Sequence, residues 1–335
     1  MVNQTLPQHS RRIPVRCARF YGLGTLFLSL LILVHSHKKQ TLPTTNPNTP
    51  DVANVQYGIA DGQKLMMDVY LPVPEEVNAT SAAKLSTPTL STEKYPAIVF
   101  IHGGGWSGGN KSSYAGDCRW FSRHGYVCFT INYRLVSNGR NIWPAQLDDC
   151  QLAIRWVRSH SRHYHIDPAK IAAIGGSAGA HLVEMLAMRD TRATGTMEFP
   201  SESSRIECGV EMAGPSNLEG DFTKAGPFGP TLQNLVDGLV GARSSTVPDR
   251  IHDASPINFV TSSTAPLLIF QGDADPIVAP DQSIKLQNAL QKAGAESRLI
   301  ILKGEVHGLN PENHQRFRSE SLQFLNRHFA QPSNP

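Results

Sequence analysis

The chain has 335 residues, 40% of them hydrophobic and 18% charged, with 31 basic and 28 acidic side chains and a formal net charge of +3. That composition can bury one full core and excludes a disordered chain, while five cysteines at this length exclude a disulfide-built scaffold. The positive balance lies in residues 1–39, where Arg11, Arg12, Arg16, Arg19, Lys38 and Lys39 face no acid; the remaining 25 basic and 28 acidic groups leave no footprint for nucleic acid.

Those six basic groups flank the uncharged stretch Phe20 to Val34, which is 15 residues long and short of the roughly 20 that span hydrocarbon comfortably. A basic start, an apolar centre of this length and the small Ser36 after Val34-His35 read as a secretory signal peptide over 1–36, cut before His37. An uncleaved signal anchor is the alternative, with its N-terminus cytoplasmic because more basic groups lie on that side. Ser10-Arg11-Arg12 is only weakly like a twin-arginine signal. In either case the rest of the chain is expected outside the cytoplasm, periplasmic, secreted or membrane-anchored. Thr41 to Pro50, rich in Thr, Pro and Asn, speaks against a buried N-terminal helix and makes 37–51 a linker. One folded domain is then expected over 52–330.

Asp61-Gly62 between Asn54–Ala60 and Gln63–Leu71 predicts an antiparallel hairpin at a sheet edge. Val73 to Lys94, with the sequon Asn78-Ala79-Thr80, reads as a mobile insertion. Pro96 to Ile101 is a buried strand that runs into His102-Gly103-Gly104-Gly105-Trp106. Leu147, Cys150, Ile154 and Val157 mark the apolar stripe of a helix. Lys170 to Ile174 predicts a strand, Ala180 to Arg189 a helix, and Gly175-Gly176-Ser177-Ala178-Gly179 joins the two. Between Met212 and Ala265 lies a Gly/Pro-rich stretch with one short helical pattern, Leu232 to Val240, read as a small cap that leaves an open pocket. Pro266 to Gln271 and Arg298 to Leu302 are further strands, and Leu322, Leu325 and Phe329 mark a closing helix. Strands alternating with helices predict an α/β fold: a doubly wound, mostly parallel sheet.

A serine hydroxyl is unreactive at its free pKa, so an enzyme exposes it on a sharp strand-to-helix turn that flanking small residues allow to close. The G-x-S-x-G around Ser177 fits that turn. An H-G-G-G turn upstream is where N–H donors to a developing oxyanion are expected, each worth roughly 3 kcal/mol in acyl transfer. Polar groups just past two strand ends complete the set: Asp273 or Asp275 after one, and His307 after the other. Ser, then Asp, then His is the chain order of one class of triad.

Over residues 52 to 330 the chain resembles the α/β-hydrolases of the hormone-sensitive-lipase-like and acetyl-esterase group, especially their carbohydrate-esterase and feruloyl-esterase-like members. The matching segments are His102 to Trp106, Asn132 to Leu135, Trp143 to Asp149, Asp167 to Leu182, Gln271 to Val278 and Val306 to Gly308. The resemblance implies an eight-stranded sheet with helices on both faces and a small cap. It implies Ser177 as nucleophile, Asp275 as orienting acid and His307 as base, with the backbone N–H groups of Gly104, Gly105 and Ala178 as oxyanion donors. The group usually has histidine where Gln271 stands and glycine where Ala180 stands, and neither departure is expected to touch the chemistry.

Asp273 competes with Asp275, its ordinary alternative being a turn-forming Asx residue. His314 competes with His307 but lies beyond Asn310-Pro311 and is expected to decorate the last helix. His181 is expected to be a packed or hydrogen-bonded histidine, and His102 a loop organiser. Cys128 and Cys150 are expected in the core; Cys118 and Cys208 could bridge. No metal-ligand spacing, phosphate loop or dinucleotide fingerprint is present, so no metal or cofactor is expected. The sequence therefore predicts a serine esterase of short acyl groups, acetyl or hydroxycinnamoyl, on a small-molecule or carbohydrate alcohol, touching membrane only through the N-terminal segment. An arylformamidase or peptidase on the same fold is the alternative, and a non-catalytic binding protein a second.

Overall fold

The computed structural model describes residues 48–72, 94–192, 198–224 and 227–330. The expected signal segment, most of the linker, and all of the 73–94 insertion but Lys94, its sequon included, lie outside the described residues. In chain order the elements are β1 Val52–Ala60, β2 Gln63–Tyr70, β3 Tyr95–Ile101, α1 Ala115–Ser122, β4 Val127–Ile131, α2 Ala145–Ser159, β5 Ile166–Gly176, α3 Ala178–Met188, β6 Cys208–Met212, α4 Gly229–Val240, α5 Pro248–Asp253, β7 Leu267–Gly272, α6 Asp281–Ala293, β8 Ser297–Leu302 and α7 Pro311–Ala330.

The eight strands form one sheet in the order β1-β2-β4-β3-β5-β6-β7-β8. The β1–β2 hairpin turns at Asp61-Gly62 as expected, and β2 pairs antiparallel with β4; all the other pairs are parallel. β3 is flanked by β4 on one side and β5 on the other, so the strand order reverses at β3. In an open parallel sheet the crevice at such a reversal, outside the carboxyl ends of the strands, is where ligands bind. His102 to Trp106 and Ser177 follow β3 and β5 directly.

Both faces of the sheet are covered, which is why β3 and β7 read as unbroken apolar runs rather than alternating ones. Val99, Ile101 and Phe129 face a core shared with α2, α3 and α6, while Ile98, Phe100 and Cys128 face one shared with α1 and α7. Each fully buried side chain of this size stabilises the fold by about 2 kcal/mol relative to exposure. α2 exceeds its predicted stripe: 12 of its 15 residues are buried, because it packs against β1 and α3 as well as β5.

β5 begins four residues before the predicted Lys170. Tyr95 pairs with Ile166 and Ala97 with Ile171, so the intervening residues of β5 bulge out, accommodating Pro168, which has no N–H to give a ladder. The cap holds a second helix, α5, besides the predicted one; six residues opened by Pro248 are too few to show a period. Cys118 and Cys208 do not bridge: they and Cys128 and Cys150 are buried free thiols, packed as small apolar groups.

Candidate active site

Ser177 stands between β5 and α3 at φ 54°, ψ −122°, a conformation that costs a non-glycine residue on the order of 1–3 kcal/mol. The surroundings hold it there. Its N–H donates to the Met212 carbonyl at 2.8 Å, tying the turn to the end of β6. A Cβ on Gly179 would sit 2.1 Å from the Ile101 carbonyl oxygen, so only glycine lets α3 start this close to β3. At Gly104 the backbone has φ +113°, which favours glycine, and the Gly104 carbonyl accepts from Ser107 and Gly108 N–H within its own turn. Gly104, Gly105 and Ala178 all line the cavity beside Ser177. As the first residue of α3, Ala178 has no carbonyl one turn back to take its N–H.

The structure brings Ser177, His307 and Asp275 together across 130 residues of chain. His307 Nε2 is 2.9 Å from Ser177 Oγ, and His307 Nδ1 is 2.7 Å from Asp275 Oδ2. A carboxylate only accepts, so Nδ1 carries the proton and Nε2 is left to accept from the serine hydroxyl. Asp275 Oδ1 accepts from the N–H groups of Ile277 and Val278 at 2.9 and 3.0 Å. Burial alone would raise this carboxyl; the His307 hydrogen bond and charge, with the two backbone N–H groups, outweigh it and hold Asp275 below the usual carboxylate range.

Asp273 lies away from this line. It is exposed and accepts from Gly304 N–H at 2.6 Å, so it stitches the acid loop to the loop that carries His307 rather than making a turn of its own. Ala274 N–H adds a bond to the Glu305 carbonyl at 3.0 Å. The Asx turn belongs to Asp275. Gln271, expected to stand apart from the chemistry, is buried against the acid with Nε2 3.3 Å from Asp275 Oδ2. Ala180 is buried on α3 near Gly214, away from the reacting atoms. His314 bonds Asp117 at 2.9 Å beside Arg318, joining α7 to α1. His102 donates from Nδ1 to the Gly103 carbonyl and stacks on Tyr133 at 4.4 Å, organising the glycine turn as expected.

His181, one turn after Ser177, holds the other side of that turn. Its Nδ1 accepts from Trp106 Nε1–H at 3.2 Å and its Nε2–H donates to the Ala254 carbonyl at 2.7 Å, which fixes the neutral ring. Burial pushes its pKa down to about 4, whereas an unfolded histidine titrates near about 6.5. The unfolded chain therefore takes up the proton first as pH falls. The stabilisation from neutral His181 is full above about 6.5 and is lost on the way down to about 4, a change on the order of 3 kcal/mol. Calorimetry of wild type and His181→Gln between pH 7 and 4.5 is expected to show a smaller acid-induced drop in Tm for the variant; parallel curves would refute the assignment.

A pair of carboxylates beneath the site had no sequence signal. Glu184 of α3 and Glu211 of β6 are fully buried, and burial pushes Glu211 up to about 8 and Glu184 higher than its usual value as well. Glu211 Oε2 accepts from Gly214 N–H at 3.0 Å, supporting the turn that carries Pro215 into the cavity.

The cavity over Ser177 measures about 300 Å³. Trp106, Pro215, Ile277 and Val278 line it together with Leu232 and Leu235 of α4. Leu235 lies against the glycine turn: a Cβ on Gly105 would be 2.7 Å from its Cδ2. A larger hollow of about 540 Å³ opens in the cap between Glu219, Asp221 and His252, but none of Ser177, His307 or Asp275 lines it. Proximity to the reactive groups, not size, marks the site.

Comparison with known proteins bears on this arrangement. The sequence profile of the BD-FAE family matches residues 84–290, more than half of the chain. The chain is 31% identical over 202 residues to esterase LipQ of Mycobacterium tuberculosis, an overlap of 60% of this chain and 47% of LipQ. It is 26% identical over 274 residues to the ethyl acetate hydrolase of Pseudomonas putida, covering 77% of this chain and 76% of that one. It thus spans about half the length of LipQ, and 43% of LipM, an ester hydrolase of the same bacterium. Among solved structures, the butyrate-bound esterase Est2 of Thermogutta terrifontis superposes with a TM-score of 0.66 at 26% identity, over 83% of this chain and 94% of that one. On the sheet order, the family match and these likenesses, the chain belongs to the BD-FAE family of the α/β-hydrolase esterase group.

Proposed function

We propose that the protein is a serine hydrolase of small carboxylic esters. The observation that carries this is the unbroken line Ser177 Oγ, His307 Nε2, His307 Nδ1, Asp275 Oδ2 at the floor of an apolar cavity. As Oγ attacks the acyl carbon, His307 takes the serine proton at Nε2. Asp275 stays ionised and stabilises the imidazolium that forms. The acyl oxygen gains a negative charge that the N–H groups of Gly104, Gly105 and Ala178 receive, each such donor worth about 3 kcal/mol in the transition state. His307 then returns the proton to the leaving alcohol, and the same steps with water in place of serine release the acid. Incubation with an aryl phosphonate followed by peptide mass spectrometry tests the assignment: one adduct on Ser177, formed in step with loss of p-nitrophenyl acetate hydrolysis, is expected. An adduct elsewhere would remove Ser177 from the reaction.

The cavity walls favour an apolar group in the seat beside Ser177. A sugar bound there would leave its hydroxyls facing Trp106, Pro215, Leu232 and Leu235 without partners, and each unpaired hydroxyl costs on the order of 1–3 kcal/mol. A short alkanoyl or a hydroxycinnamoyl acyl group fits those walls, and a carbohydrate alcohol then has to lie outside them. An exopeptidase reading lacks an anchor, since among the described residues no carboxylate lines this cavity to receive a substrate ammonium. At about 300 Å³ the space stands at the small end of ligand sites. Rates on p-nitrophenyl esters are therefore expected to fall steeply between four and twelve acyl carbons. Leu235→Ala should raise kcat/KM for the eight-carbon ester relative to the two-carbon ester by about tenfold, the usual worth of a methylene or two in an apolar pocket. An unchanged ratio would take α4 out of substrate selection. From the basic and apolar pattern of residues 11–39 we further propose that this chemistry takes place outside the cytoplasm; N-terminal sequencing of exported protein tests cleavage before His37.

A further inference from the structure

The strand that leads into the acid loop carries a side chain whose contacts the reaction above leaves unexplained. Gln271, next to last in β7, is fully buried. Its Nε2 is surrounded by acceptors: the Gly272 carbonyl at 3.0 Å, the Val278 carbonyl at 3.2 Å and Asp275 Oδ2 at 3.3 Å. Its Oε1 accepts from the hydroxyl of Ser283, buried on α6, at 2.8 Å. With acceptors at one end and a donor at the other, the amide has one sensible orientation.

Asp275 then has its lone pairs filled. Oδ1 takes the N–H groups of Ile277 and Val278, and Oδ2 takes His307 Nδ1–H and a share of the Gln271 amide, whose two N–H bonds are divided among three acceptors. A carboxylate offers about four such positions, so no direction is left for a proton on this acid. A neutral donor on the same oxygen as His307 does two things. It fixes the plane in which Oδ2 meets the imidazole, and it draws off part of the charge that would otherwise hold a proton on His307 before substrate binds.

We propose that Gln271, braced by Ser283, is a positioning residue that acts through Asp275 and sets the pH at which His307 becomes a free base. The proposal rests on the reading of Ser177, His307 and Asp275 as a reacting unit. Other charges near the acid are engaged elsewhere: Asp273 with Gly304 N–H, Glu305 with Asn310, and Asp281 with Lys285 on the outer surface of α6. Gln271 is therefore the uncharged lever on this carboxylate.

The test is the pH dependence of p-nitrophenyl acetate hydrolysis by wild type, Gln271→Met, Gln271→Glu and Gln271→His, with folding followed by circular dichroism. Gln271→Met has similar bulk and no donor. It is expected to lower kcat by about tenfold or more with KM within about twofold, and to move the acid limb of kcat/KM up by about half a pH unit. Gln271→Glu sets a second carboxyl beside Asp275 and should move the limb up by more than about one unit, even if the methionine variant folds poorly. Gln271→His keeps an N–H donor and should restore a limb close to that of wild type. Loss of activity in all three with an unmoved limb would mean a merely structural side chain and would overturn the proposal. Ser177→Ala, run alongside, separates the two levels: abolished hydrolysis leaves the reacting unit standing whatever Gln271 does, whereas surviving hydrolysis overturns the reading of the site itself.

Discussion

Ser177→Ala is expected to fold normally and to hydrolyse a short aryl ester at least about 10³ times more slowly than wild type. The substitution removes only Oγ. Alanine keeps the Cβ that already fits the turn at φ 54°, and the N–H bond to Met212 that anchors the turn is untouched. What is lost is the oxygen that His307 Nε2 meets at 2.9 Å, so the covalent route closes. Any residual rate reports the glycine turn and the cavity acting on water alone, which in serine hydrolases leaves a modest advantage over the uncatalysed reaction. Near-wild-type turnover in a folded variant would end the serine-hydrolase account. A nearly unchanged Tm is the second half of the expectation, since the turn loses one part-buried hydrogen bond, worth about 1 kcal/mol, and gains no cavity in the core.

The parts of this molecule that sequence makes legible are those where one physical requirement has one solution. Parallel strands buried on both faces leave apolar runs that end abruptly, so β3, β7 and the second half of β5 stand out with the polar residues after them; β8, at the sheet edge and partly exposed, still shows as the short apolar run Leu299 to Leu302. Gly179 and Gly104 stand out because no other residue fits the close approach of α3 to Ile101 or the turn at φ +113°. The choice between Asp275 and Asp273 is different: two aspartates in one loop present the same pattern, and only the fold turns one toward His307 and the other toward Gly304. Gln271 was hidden for a related reason. An amide at the end of a buried strand reads as a departure from an apolar run, and nothing local says that the chain folds back to put Asp275 against it. Glu184 and Glu211 meet across α3 and β6, each inside an otherwise apolar stretch, so their pairing is a tertiary fact without a sequence period. In the cap, α5 is too short for periodicity. The end of α4 at Val240 was legible, but not its start at Gly229, three residues before the predicted Leu232, nor that Leu232 and Leu235 would line the cavity beside Ser177.

The acid loop supplies the sharpest contrast. Asp275→Asn is expected to lower kcat by about 10⁴ and Asp273→Asn by less than about tenfold, with both proteins folded. At Asp275 the two oxygens are not equivalent. Oδ1 faces two backbone N–H groups, so the oxygen of an amide must stay there, and its NH₂ then takes the place of Oδ2. That NH₂ would point at His307 Nδ1–H and at the Gln271 amide, donor against donor. The imidazole escapes the clash by carrying its proton on Nε2 instead, and in that tautomer it cannot accept from Ser177. The imidazolium formed during attack also loses its counter-charge, so the loss falls on kcat rather than on KM. At Asp273 an amide keeps an oxygen for Gly304 N–H and gives up only charge at an exposed position, a change worth at most about 1 kcal/mol. Because the two substitutions remove the same charge two residues apart, their comparison cancels long-range electrostatics and isolates geometry. Steady-state kinetics on both purified variants decides it; a larger loss at Asp273 would mean that the loop rearranges in solution to present the other carboxylate to His307.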